Sequence, residues 1–320
     1  MNRKKIISVL LLIAVMMVPV FASGQQEASG SENTVEPAED STASSEKSDS
    51  PIKVFVSIVP QAYFVEKIAG DRAEIEIMVP PGKGPATYEP TPGQVTELAS
   101  AKAFFTIGVP FENAFLPKVK DSLPDLNVVD TSAGVTRRHM GAHHHEDEEE
   151  AEEEEHEEGG LDPHIWLSPA LVKIQAQNIY DALVALDPAG ESEYTAGLNE
   201  LNKELDGLSS RIEKELAPYK GKIFFIFHPA LGYFADQFGL KQIAIESGGK
   251  EPSAEAIGNI IDNAKNEGVK VIFVQPEFSE KAAGVIAEAI DGSVVKLNPL
   301  SSDYINNLDN IAEKIKVSYE

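Results

Sequence analysis

The 320-residue chain contains no cysteine. That absence excludes a disulfide staple, a thiolate ligand or nucleophile, and a lipid attached to a cysteine at a processing site. Tryptophan occurs once, at Trp166, and five of the seven histidines crowd into one tract. Basic residues are scarce: 27 Lys and Arg stand against 52 Asp and Glu, a formal net charge of -25. Such a balance argues against nucleic acid and anionic lipid as partners and is compatible with a cation. A phosphate-cradling glycine fingerprint is missing too, since Gly248-Gly249-Lys250 lacks the rest of a P-loop. No Ser or Lys nucleophile stands in a recognisable setting, although Asp162 with His164, or His228 with Glu246, could be imagined as acid/base pairs.

What is present divides the chain. Residues 1–22 read as Arg3-Lys4-Lys5, an apolar run from Ile6 to Phe21 and then small residues, the layout of a signal peptide; an uncleaved anchor is the bland alternative. With no cysteine available for lipid, the mature protein is expected in a periplasm. Residues 23–50, rich in Ser, Glu, Gln and Ala, form a disordered linker without enough apolar surface to offset the entropy of ordering. Residues 51–136 form an N-terminal α/β lobe, 137–160 a His- and acid-rich disordered loop, and 161–190 the end of that lobe. Residues 191–217 form a connecting helix, and 218–320 a C-terminal α/β lobe. The loop carries His139, His143, His144, His145 and His156, and 11 acidic residues fall between Glu146 and Glu158.

Local patterns support this division. In the first lobe Ile52, Val54, Val56 and Ile58 alternate like a strand, and further strands are predicted near residues 73–79, 103–107 and 127–129, interleaved with helices. Tyr194, Leu198, Leu201, Leu205, Leu208, Ile212 and Leu216 follow helical spacing, so one stripe of that helix is buried along its whole length. The continuous apolar runs Ile223-Phe224-Phe225-Ile226 and Val271-Ile272-Phe273-Val274 predict central strands covered on both faces. The fold class is therefore α/β: two lobes with parallel sheets, joined by one long helix, with a ligand cleft between them. His228, Glu246, Glu277 and Asn298 each follow a predicted strand, where open α/β sheets bind their ligands.

Outside the tract only His164 and His228 remain, one in each half. His164 lies in Leu161-Asp162-Pro163-His164-Ile165-Trp166-Leu167-Ser168-Pro169, on a short extended piece before a helix started by Ser168 and Pro169. His228 lies at a strand-to-helix turn. Taken singly, each is more often structural than a ligand. Together they suggest a site between the halves, and neutral imidazole is the commonest protein ligand for late divalent metals. Glu89 and Trp166 read as structural, the first capping or pairing near Thr91, the second packing beside the site.

These motifs, with Tyr88-Glu89-Pro90-Thr91-Pro92, Gly108 to Glu112, the turn from His228-Pro229 to Tyr233-Phe234, and Asn298-Pro299-Leu300, resemble the zinc or manganese substrate-binding proteins of ABC importers. The resemblance covers Lys53 to the C-terminus. It implies a non-catalytic, monomeric receptor that delivers a divalent metal to a membrane permease, with His164 and His228 as ligands. Two positions depart from the family pattern: Ala86 stands where a histidine ligand is usual, and Asn298 where an acidic ligand is frequent. Three repairs are open: His143 or His145 folded back from the tract, Glu246 or Glu277 swung in, or a changed ligand; the first, with Glu246 as an oxygen donor, is the expected one. A looser role for the tract, collecting several ions weakly, is compatible with it. Zinc is expected over manganese because the visible donors are nitrogen-rich. The alternatives are a receptor with the same frame for a metal chelate or organic solute, and a metal-dependent hydrolase.

Overall fold

A computed structural model describes residues 50–140, 160–246 and 248–320. The expected signal segment, nearly all of the linker and most of the tract, including His143 and His145, lie outside the described residues. The first lobe comprises β1 (Ile52–Val56), α1 (Val59–Ala69), β2 (Ala73–Ile77), α2 (Pro92–Leu98), β3 (Ala103–Thr106), α3 (Pro110–Ser122) and β4 (Asn127–Asp130). After the tract come α4 (Pro169–Leu186) and the long α5 (Glu191–Leu216). The second lobe follows as β5 (Ile223–Ile226), α6 (Gly232–Phe238), β6 (Lys241–Ala244), α7 (Ala254–Asn266), β7 (Val271–Val274), α8 (Glu280–Ala289), β8 (Ser293–Lys296) and α9 (Tyr304–Val317).

Each lobe holds a four-stranded, fully parallel sheet, ordered β2-β1-β3-β4 in the first and β6-β5-β7-β8 in the second. The two sheets repeat one topology. In both, the order reverses about the first strand, so a crevice opens at the carboxyl ends of β1 and β3 and of β5 and β7. The strands β3, β5 and β7 are almost wholly buried, as their uninterrupted apolar runs require.

The seven predicted stripe residues of α5 are all buried. At about 1.5 Å per residue the helix is about 39 Å long, and it packs on α1 and α4 on one side and on α9 of the second lobe on the other. One hydrophobic core therefore runs through both lobes along this helix. Gly197 permits the approach of α5 to α1, because a Cβ there would stand 2.5 Å from the backbone oxygens of Lys67 and Ile68. Glu204 of α5 accepts from Tyr63 (2.9 Å) and Lys67 (2.6 Å) of α1, while Arg211 pairs with Asp309 of α9. Across the lobe junction the Phe64 and Tyr304 rings meet edge to face at 4.9 Å. Trp166 donates to the Pro299 carbonyl (2.9 Å), and Tyr304 donates to the Trp166 carbonyl (2.8 Å). Ring packing and buried hydrogen bonds thus stitch the junction together.

Local differences from the sequence reading have local causes. Helix α3 was not among the predicted elements: Pro110 occupies its first turn, where the missing N–H costs nothing, and burial of Phe111, Phe115 and Val119 holds the helix despite the internal Pro117. The cap of α2 is made by Thr91 and Gln94, with Glu89 exposed and taking no part. His164 opens a short 3₁₀ turn at residues 165–167 rather than sitting on an extended piece; Ser168 then caps α4, accepting from the N–H of Leu171.

Candidate metal site

His228 leaves β5 at its carboxyl end, beside β7, at the point where the strand order reverses. Its backbone is clamped by one side chain: Gln275, just past β7, accepts from His228 N–H (3.2 Å) and donates to His228 C=O (2.6 Å). Its ring stacks on Phe278, with centroids 4.8 Å apart and 18° between planes. Nδ1 of His228 donates to Glu246 Oε1 at 2.6 Å, and Glu246 is 4 % exposed. The second Glu246 oxygen is buried with no hydrogen-bond partner among the described residues.

His164 reaches the same place from the first lobe. Asp162 Oδ1 accepts both the His164 backbone N–H (2.9 Å) and Nδ1–H (2.7 Å), so the Asp-Pro-His turn orients its own imidazole. Trp166 packs beside the ring with centroids 5.1 Å apart. Tyr233 of α6 donates to the Asp162 carbonyl (2.9 Å) and accepts from the backbone N–H of Arg138 (3.0 Å). Arg138 belongs to the foot of the tract, where an antiparallel bridge between His139 and Leu161 brings its two ends together. Arg137 is placed as well, donating to the Ile107 carbonyl (2.6 Å) and Ser132 Oγ (2.7 Å). A side chain at Gly108, whose φ is +84°, would collide with that guanidinium.

The two imidazoles, 64 residues apart in sequence, meet with Nε2 of His164 3.3 Å from Nε2 of His228. Each Nδ1 faces a carboxylate oxygen, which accepts but cannot donate when ionised, so each Nδ1 carries the proton. The neutral tautomers then turn two Nε2 lone pairs towards one another, an arrangement that is repulsive unless a proton or a cation lies between them. Burial disfavours the imidazolium and holds His228 below the ordinary histidine pKa, although its bond to Glu246 opposes this. Two nitrogens bound to one tetrahedral zinc at about 2.0–2.1 Å stand about 3.3–3.4 Å apart.

Around this pair lies a cleft of about 70 Å³, lined among others by Pro85, Ala86, Met140, Glu277, Phe278 and Pro299. Of the four residues expected at strand ends, His228 and Glu246 come together, Glu277 lines the cleft, and Asn298 does not enter it. Asn298 is exposed and spends its side-chain oxygen on the N–H of Leu300 (2.9 Å). Glu246 sits behind the His228 ring, on the side away from the cleft, where the sequence reading had it as an oxygen donor. Among the described residues no third His, Cys, Asp or Glu completes a metal-binding group with the imidazoles as placed. Gln275 and Phe278 were missed, and Tyr233 had stood only as part of the turn motif after His228; the one signal for Gln275 was its place immediately after β7.

The family described as "Zinc-uptake complex component A periplasmic" matches residues 54–318. The chain belongs to this family. The high-affinity zinc uptake system protein ZnuA of Bacillus subtilis (strain 168) is 30 % identical over 251 residues, 78 % of each chain. A crystal structure of ZnuA superimposes with a TM-score of 0.77 at 37 % identity, covering 84 % of this chain and all of that one. A zinc-bound ZnuA deletion mutant gives 0.75 at 37 % identity, over 84 % of this chain and 98 % of that one. Membership in the family agrees with the two parallel-sheet lobes and the long helix. Among the described residues no helix is long and apolar enough to cross a membrane.

Proposed function

We propose that this chain captures Zn²⁺ in the periplasm, as a monomer released from its signal peptide, and hands it to the permease of an ABC importer without catalysing a reaction. The observation that carries the reading is the 3.3 Å separation of two Nε2 atoms whose Nδ1 partners are both carboxylates. That separation matches two ligands of one tetrahedral zinc. His164 and His228 are the ligands, and Asp162 and Glu246 orient the rings and raise their basicity from behind. The cleft, about 70 Å³, is small beside the roughly 300–1,000 Å³ of sites that hold drug-sized ligands, which favours a bare ion over an organic solute or a chelate. Family membership supports the importer and the absence of catalysis.

Two imidazoles leave two positions of a tetrahedron open. The tract supplies one of them. Met140, the last described residue before it, lines the cleft, and His143, three residues on, has a reach of about 10 Å from there; His145 lies just beyond. The test is zinc titration by competition with a chromophoric chelator, together with thermal melts. The wild-type protein is expected to bind one ion tightly and to melt higher with zinc, because only the folded state forms the site. His164→Ala and His228→Ala are expected to abolish tight binding, and removal of residues 141–158, which spares the ordered foot, to weaken it. Tight zinc binding that survives both histidine substitutions would overturn the reading.

A further inference from the structure

Arg137 and Arg138, adjacent in the chain, are fastened to opposite lobes. Arg137 turns into the first, where its guanidinium donates to the Ile107 carbonyl (2.6 Å), the Ser132 hydroxyl (2.7 Å) and the Gly108 carbonyl (3.4 Å). Ile107 and Gly108 also give their N–H groups to the buried Glu112 carboxylate, at 3.0 Å and 2.7 Å, so the turn after β3 is gripped on both sides. Arg138 turns into the second lobe. Its backbone N–H donates to the Tyr233 hydroxyl (3.0 Å), and its guanidinium pairs with Asp236 of α6 (3.0 Å) and lies over the Tyr233 ring. Each guanidinium fills a space that a glycine leaves open: a Cβ at Gly108 would collide with that of Arg137, and a Cβ at Gly232 with that of Arg138.

Between the two anchors lies the support of His164. The Arg138 carbonyl accepts the Asp162 N–H (2.8 Å), and Asp162 Oδ1 in turn holds the His164 ring. Without metal the two Nε2 lone pairs repel one another, so the rings keep their 3.3 Å separation only where their supports resist. Gln275 and Phe278 supply that resistance for His228. For His164 it comes through Asp162.

We infer that the Arg137-Arg138 pair is a staple between the lobes that holds the Asp162-Pro163-His164 turn in place, making both arginines positioning residues for metal capture. The inference rests on the zinc reading above and adds what keeps its first ligand preset. Binding to a preset site spends little on ordering it, and a ligand whose outer support is cut loses affinity. A staple needs both ends, so freeing either arginine should release the turn as fully as freeing both.

Zinc affinity is measured by chelator competition for the full chain, Arg137→Ala, Arg138→Ala, the double variant, His228→Ala and Arg211→Ala, the last of which cuts an ion pair between α5 and α9 outside the cleft. Hydrogen exchange at residues 161–168 is followed in each without metal. Each single variant of the pair is expected to bind zinc about tenfold more weakly than wild type. The double variant should fall within about twofold of either single one, because the two losses are the same loss. Exchange should quicken in all three, and Arg211→Ala should change neither reading. If the wild type binds zinc, His228→Ala does not, and the pair's variants keep wild-type affinity or their losses multiply in the double variant, the staple is refuted and the two-histidine reading stands. A loss in Arg211→Ala as large as in Arg137→Ala would also refute it, since any loosening of the lobes would then suffice. Unchanged exchange in the pair's variants refutes it whether or not zinc binds. If the wild type fails to bind zinc, the zinc reading itself falls, and the positioning role with it.

Discussion

Substituting Glu246 by glutamine separates a carboxylate that holds the ring from one that holds the ion. The bond from His228 Nδ1 to Glu246 Oε1 is 2.6 Å long and buried, and hydrogen bonds to charged groups are worth about 1.5–3 kcal/mol. Glutamine keeps an acceptor for Nδ1–H but loses the charge that makes Nε2 a stronger base. Its amide nitrogen takes the place of an oxygen that has no partner among the described residues. Losing such a support costs about 10- to 100-fold in metal affinity, or about 1.4–2.7 kcal/mol. The metal-free protein is expected to change little, because removing a buried charge offsets the weakened bond. Chelator competition at fixed pH and salt reads the affinity, and a melt without zinc reads the fold. Affinity within twofold of wild type would refute the orienting role. A loss as complete as that of His228→Ala would instead put the carboxylate on the ion, as the sequence alone suggested.

Three other substitutions reach the frame around the site. Gly197→Ala places a Cβ 2.5 Å from backbone oxygens of α1 and is expected to cost about 1–3 kcal/mol in urea unfolding; a change under about 0.5 kcal/mol would mean that α5 and α1 can separate freely. Tyr233→Phe strips a bond from the Asp162 carbonyl and one from the Arg138 N–H, so stability should fall by about 1 kcal/mol or more and zinc affinity by less than in Glu246→Gln; no change in either would show the strap to be idle. Burial alone would raise the Asp187 carboxyl, but bonds from Arg72 and Tyr194 outweigh it and hold the carboxyl below its ordinary range. A lowered carboxylate stabilises the fold above its unfolded pKa of about 3.9 and loses that contribution as pH falls through the folded value. Asp187→Asn should therefore melt lower than wild type at pH 7, with the gap closing below about pH 4; a gap that persists unchanged at pH 3 would contradict the linkage.

The two-lobed frame was legible in the sequence because its signals are periodic and local. A stripe at helical spacing from Tyr194 to Leu216 can be buried only by a long helix, and the apolar runs at Ile223 and Val271 can be satisfied only by covered parallel strands. His164 and His228 stood out by elimination, once the tract had taken the other histidines. Helix α3 was not among the predicted elements, and the meaning of its prolines depends on where the first turn falls.

Which atoms face which was decided in three dimensions. Asp162 is two residues from the ring it orients and could be guessed, but Glu246 is 18 residues from His228 and Gln275 is 47, contacts created by the pairing of β6 and β7 on either side of β5. The same strand order placed Glu246 behind the imidazole, left Glu277 in the cleft and turned Asn298 outward, although all three follow strands and look equivalent along the chain. Sequence periodicity specifies which faces are buried, whereas the side of an imidazole that a carboxylate reaches depends on sheet order and turn geometry, which only the folded chain supplies.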